Sequence, residues 1–326
     1  MMRFARSVMT TGAVLVVVAI IAGCSRQQAP AAAVAATAAQ LHGAYTALIN
    51  AGDADSLAAA ALTARTLADA ATHPARALAI ADRALASAPQ RADLTFLDLQ
   101  LCEAKPSCDP QAAEAHQREA DPVNGISWLF ALQRAGKSHD AAGVRTALAG
   151  LAGSQRVDRH WTVLASRMTA AMAGKAGLDA SIALSSLIDL EAALPMPLMS
   201  VTNACSEEAL QNPQVLAQCR QAADTLQHAD TISMAMYGNR LAVRLWPRGS
   251  ARNTEIAAAG RELAYQMDVM RRNPERLDSP KALQILASLY PHYATEQSVF
   301  RALYFNLGLQ PDPPAQWRET VFTGRF

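Results

Sequence analysis

Proline and turn residues cut an alanine- and leucine-rich chain into short stretches, and this punctuation limits the fold more than any other feature. A proline has no N–H, and its ring clashes with the preceding helical turn. It is tolerated in a helix's first turn or past its end, not in its middle. Pro74 opens a stretch that Pro89 ends, and Asp109-Pro110, Asp121-Pro122 and Asn212-Pro213 each begin another. Inside these stretches apolar residues recur three and four apart, as in Leu78, Ala81, Leu85 and Ala88, or Leu94, Leu97 and Leu101. That spacing is one face of a helix, and no sustained strand-like alternation interrupts it. The expectation is an all-α fold of antiparallel helix pairs, stacked as an irregular solenoid or a helical bundle.

Asp53 or Asp55 caps a helix expected to reach about Ala71, and Asp109-Pro110 starts one to about Ala120. Trp128, Leu129, Leu132 and Ala135 form an apolar stripe that Gly136 ends, and Val144, Ala147, Leu148 and Leu151 form its partner. Trp161, Leu164, Met168 and Met172 are in register on the next helix, and residues 179–194 make another. Pro195 and Pro197 then break the chain, so 195–212 reads as a loop between a helical-repeat region (39–194) and a C-terminal helical region (213–326). Further helices are expected near 213–227, 230–245, 251–272, 279–290 and 294–306, followed by a proline-rich tail.

Composition narrows the function classes. The chain is 51% hydrophobic and 17% charged, enough apolar surface to bury a core, which excludes a disordered chain. Lys and Arg (29) nearly balance Asp and Glu (28), which leaves no electrostatic footprint for nucleic acid.

The N-terminus carries Arg3 and Arg6, then the apolar run Ala13–Ala22, then Ile21-Ala22-Gly23-Cys24. The run is far shorter than the roughly 20 residues a membrane-spanning helix needs. It has the layout of a secretory h-region. The final four residues resemble the lipobox of bacterial lipoproteins. That resemblance implies a signal peptide over 1–23, cleavage between Gly23 and Cys24, and acylation of Cys24. Acyl chains would moor the protein to a membrane in the envelope, and two or more chains hold stably. Ser25, where a retained inner-membrane protein would carry Asp, implies the outer membrane facing the periplasm. Residues 24–38 read as a tether.

Pro122 to about Ala152 resembles a tetratricopeptide unit, with an aromatic-bearing first helix, a turn glycine and a small-residue second helix. Pro89 and Pro122 stand 33 positions apart, near that family's 34-residue period. Asp121, Pro122, Asn124 and Trp128 also resemble a run found in uncharacterised helical envelope lipoproteins, which implies placement but no activity.

With Cys24 acylated, Cys102, Cys108, Cys205 and Cys219 remain, an even set for an oxidising compartment. Four cysteines allow three connectivities. The local one, Cys102–Cys108 and Cys205–Cys219, is favoured, because Pro106 and Asn212-Pro213 turn the chain within each loop. No C-x₂-C pair supports zinc.

Catalytic signatures are missing. The seven histidines include no H-E-x-x-H, no glycine-rich phosphate loop occurs, and Gly125-Ile126-Ser127-Trp128-Leu129 lacks the second glycine of a nucleophile elbow. The reading is of a non-enzyme with no cofactor, no metal and no nucleic-acid partner. Aromatics crowd the C-terminal end, where Tyr293, Phe300, Tyr304 and Trp317 are either the cap of a helical stack or a surface for a partner. The function expected is an envelope-protein interaction or scaffold module. Alternatives are an immunity-type inhibitor of an envelope-targeting toxin and an enzyme acting on envelope polymers.

Overall fold

A computed structural model describes residues 31–318 except 66, 68–72, 104, 106, 193 and 195. The expected leader 1–23 and the acylation position Cys24 lie outside the described residues. The described chain is all-helical. In order it forms α1 (Ala31–Ala51), α2 (Ala54–Thr63), α3 (His73–Ser87), α4 (Ala92–Glu103) and α5 (Pro110–Ala120). Then come α6 (Ile126–Lys137), α7 (Ala141–Gly153), α8 (Trp161–Ala176), α9 (Ala180–Ala192) and α10 (Met199–Ala204). The last six are α11 (Pro213–Gln227), α12 (Ile232–Leu245), α13 (Ala251–Arg272), α14 (Pro274–Leu277), α15 (Pro280–Leu289) and α16 (Glu296–Asn306). Turns of 3₁₀ helix occupy Ala209–Gln211 and Tyr290–His292.

The punctuation acts through caps. Asp53, Asp109, Asp140, Asn212, Ser250, Ser279 and Thr295 each accept a backbone N–H of the helix that follows. Such a cap satisfies a donor that the helix itself leaves unpaired. Pro110, Pro213 and Pro280 occupy first turns.

Three expectations shift. α2 ends at Thr63, short of Ala71. α1 starts at Ala31, inside the stretch read as a tether, in a run of alanine, the residue with the highest helix propensity. The stretch 195–212 contains α10 and a 3₁₀ turn rather than plain loop.

Each helix from α1 to α7 packs on the next, the order expected of stacked pairs. The stack then closes on itself. α8 returns to lie against α1, α2 and α4, and α9 packs on both α2 and α15. Two helices in the middle are consequently buried on every side. In α2, Ser56 to Thr63 are all buried, and four consecutive alanines (Ala58–Ala61) let its neighbours approach closely. In α4, Leu97, Leu99 and Leu101 alternate with polar residues as a strand would, yet Phe96, Gln100 and Cys102 are buried too. A helix enclosed on all sides has no need of an amphipathic stripe. One buried apolar cluster runs from Ala44 to Trp317 and so continues across 195–212.

The α6–α7 pair depends on one glycine. A Cβ on Gly150 would lie 2.4 Å from the Trp128 ring, so only glycine admits the indole there. The Arg118 guanidinium covers the same ring at 4.4 Å from its centroid.

Candidate functional site

A cavity of about 710 Å³ opens beside the α6–α7 pair, walled on its far side by α10, the 3₁₀ turn Ala209–Gln211 and the start of α11. Leu132 and Leu148 form its buried floor, while Val144, Met199 and Val215 supply the sides. Met199 is 49% exposed, an unusual state for a large apolar side chain. The Cys205–Cys219 disulfide joins the residue after α10 to the middle of α11 (Cα–Cα 5.9 Å), and both cysteines are fully buried. It therefore holds one wall in place. Thr202 of α10 is also fixed, because its N–H donates to the Tyr237 hydroxyl at 3.0 Å.

Lys137, His139 and Arg145 rim the cavity, and no carboxylate lines it. His139 adopts a left-handed backbone (φ 56°) in the turn between α6 and α7. The adjacent Asp140 is engaged as the α7 cap, accepting from Ala142 and Gly143 N–H at 3.1 and 2.9 Å. This arrangement can hold an apolar group and an anion together. It contains no nucleophile with a base beside it.

A second polar assembly lies beneath the first turn of α8, and it is closed. Asn124 ties two chain segments together. Its Oδ1 accepts the N–H groups of Ile126 (3.1 Å) and Asp158 (2.9 Å), and its Nδ2 donates to the Asp158 carbonyl at 2.7 Å. Asp121 takes the Arg156 guanidinium at 2.7 Å and His160 at 3.2 Å. Burial raises the Asp121 carboxyl, but hydrogen bonds from His160 and Asn124 and the Arg156 charge prevail and hold it below the usual range. The Asp121–Asn124 run noted in the sequence is thus a latch on the linker ahead of α8.

Deeper in, the Arg159 guanidinium pairs with Glu191, and Arg159 is 3% exposed. Asp230 accepts the Arg159 N–H at 2.9 Å and the Trp161 N–H at 3.2 Å, so it caps α8 from another part of the chain. Glu296 does the same for α12, accepting the Ile232 N–H at 3.0 Å, and its own N–H donates to the Asp230 carbonyl at 2.8 Å. Burial drives the Asp230 carboxyl well up, with the nearby Asp158 charge acting in the same direction. Burial, then the Glu191 charge, push Glu296 up to about 7. These carboxyls hold the junction of α8, α9, α12 and α16 together, and their oxygens face backbone N–H groups rather than an opening.

One more acid pair is nearer the surface. Burial, then a hydrogen bond to Asp82, push the Asp98 carboxyl up to about 7.

The sequence-predicted residues fall into two groups. Cys102–Cys108 and Cys205–Cys219 are disulfide-bonded, the local connectivity. The aromatic set separates. Tyr304 is fully buried and its hydroxyl donates to the Gln266 carbonyl at 2.9 Å. Trp317 is 8% exposed, donates its indole N–H to Asp268 at 3.1 Å and meets Tyr265 edge-on at 5.3 Å. Phe300 is half-buried against the Ile232, Ala235 and Leu263 cluster. Only Tyr293 stays exposed, at 37%. Of the two readings, cap or partner surface, the buried Tyr304 and Trp317 fit the cap, a clasp that fastens the C-terminal segment onto α13. Arg261 tightens it by donating to the carbonyls of Pro314 and Trp317. Among the described residues the most exposed aromatic is Phe305, at 78%, which helical spacing alone did not single out. The cavity beside α6–α7 was also missed, because one wall comes from a stretch whose prolines read as loop.

Among the described residues no His, Cys, Asp or Glu cluster has metal-binding geometry, and no helix is long and apolar enough to cross a membrane. The chain matches no protein-family model, no curated protein and no solved structure.

Proposed function

We propose that the chain is a lipid-anchored, non-catalytic interaction module of the bacterial envelope. Acyl chains on Cys24 hold it at the outer membrane, facing the periplasm. The cavity beside α6–α7 receives a segment of another envelope protein. The observation that carries the binding role is an apolar-floored cavity whose far wall is held by a disulfide. A pre-formed concave apolar site with a few polar groups is the common form of a binding site. The anchoring rests on the Ile21–Cys24 residues.

Two measurements test this reading. Intact mass of protein from the native host is expected to show a chain starting at Cys24 with acyl mass added. A chain starting at Met1, or a free thiol at Cys24, overturns the anchoring. For the binding role, a photo-crosslinking residue replaces Met199 in one strain and Phe305 in another. A discrete adduct from position 199 that is absent from 305, and lost when Val144→Glu fills the cavity, is expected. Equal adducts from both positions, or none from 199, overturn the role.

A further inference from the structure

Among the described residues, surface cations fall into two groups, those that meet a carboxylate and those that do not, and the cavity rim belongs to the second. Arg91, Arg134, Arg156, Arg252, Arg271 and Arg301 each meet a carboxylate. Among the described residues, Lys137 and Arg145 have no carboxylate within ion-pair distance and His139 has none either, although all three stand together on one rim. The capping Asp140, the exposed pair Glu207 and Glu208, and Glu103, whose carboxyl feels the Lys137 charge, all lie outside the cavity lining. The rim is thus positive, with no carboxylate in the cavity lining, above an apolar floor of Leu132 and Leu148.

The backbone of an occupant adds a second constraint. A peptide that binds by strand addition needs a sheet edge for its N–H and C=O groups, and the described residues form no strand. A helix satisfies those groups internally and can lay an apolar face on the floor.

We infer that the cavity receives an amphipathic helical segment of a partner protein, bearing Asp or Glu where its apolar face meets Lys137 and Arg145. The inference rests on the interaction role proposed above and names the chemistry of the partner.

The test uses the folded protein and three fluorescent amphipathic helical peptides. They share one apolar pattern and carry glutamate, glutamine or lysine flanks. Fluorescence anisotropy is expected to show the glutamate peptide binding about tenfold more tightly than the glutamine one, the size of effect that two exposed ion pairs give. The lysine peptide binds most weakly. Raising salt shrinks the glutamate advantage through screening. The double variant Lys137→Glu, Arg145→Glu reverses the order of the peptides. Its fold is checked by circular dichroism, and both sites are exposed. Equal binding of all three peptides, or an order unchanged in the double variant, overturns the inference. Dodecanoate binding with the same dependence on Lys137 and Arg145, while no peptide binds, overturns it in favour of an acyl anion. A position-199 adduct with no glutamate preference overturns the acidic partner but leaves the interaction role standing.

Discussion

Beside the α6–α7 turn, Lys137 and Arg145 stand exposed, with no carboxylate within ion-pair distance among the described residues. At the junction of α8, α9, α12 and α16, the carboxyls of Glu191, Asp230 and Glu296 gather near the guanidinium of Arg159, with Asp158 beside them and paired to Arg156. The two regions carry opposite charge surpluses at very different depths. In water an unpaired cation costs little and is free to meet an anion. Out of water an excess of carboxyls must be neutralised by protons, paired with a cation or aimed at N–H groups. The denser polar cluster is therefore the structural one, and the sparse rim is where recognition chemistry is open.

The comparison is broken most severely at Arg159. Arg159→Ala strands Glu191 in a buried site and is expected to cost about 3–5 kcal/mol, read by denaturant unfolding. A loss below about 1 kcal/mol would show that the junction is already protonated throughout. The next effect lies at the cavity wall. Replacing Cys205 and Cys219 by alanine opens a loop of sequence separation 14, expected to cost about 3 kcal/mol and to weaken the position-199 adduct. The same change at Cys102 and Cys108, with separation 6, costs about 2 kcal/mol and leaves the adduct intact.

pH separates the two regions next. The folded-state pKa of Glu296 is raised to about 7, above its unfolded value. Its contribution to stability is complete below about pH 4.3 and is lost as pH rises towards 7. Glu296→Gln keeps an acceptor for the Ile232 N–H and cannot ionise. Relative to the parent it is expected to be more stable at pH 8 than at pH 5, by about 2.5 kcal/mol. Thermal unfolding at both pH values measures this, and parallel shifts would sink it. The smallest effect is at the rim. Lys137→Ala and Arg145→Ala are expected to change stability by less than about 0.5 kcal/mol while weakening an acidic peptide.

How much of this was legible depends on how far apart the interacting residues lie. Asp109-Pro110, Asn212-Pro213 and Ser279-Pro280 act within one helical turn, so helix starts could be placed from the letters alone. The two disulfides close short loops and were readable for the same reason. Asp230 and Glu296 cap helices about 70 and 64 residues away, and no local pattern announces that. Helical spacing grouped Phe300 and Tyr304 but could not say which side faces solvent, since that depends on Gln266 and on the tail around Trp317. α10 was hidden behind Pro195 and Pro197, and with it the cavity wall.

The distant capping of α8 also sets a sequence in time. Helix pairs α1 to α7 are made of neighbours along the chain and can form early and independently. The N–H of Trp161 in the first turn of α8, and that of Arg159 just before it, have no acceptor until Asp230 arrives from far downstream. Closure of the stack is thus a long-range step in an otherwise local set of contacts, the kind of pairing that slows folding.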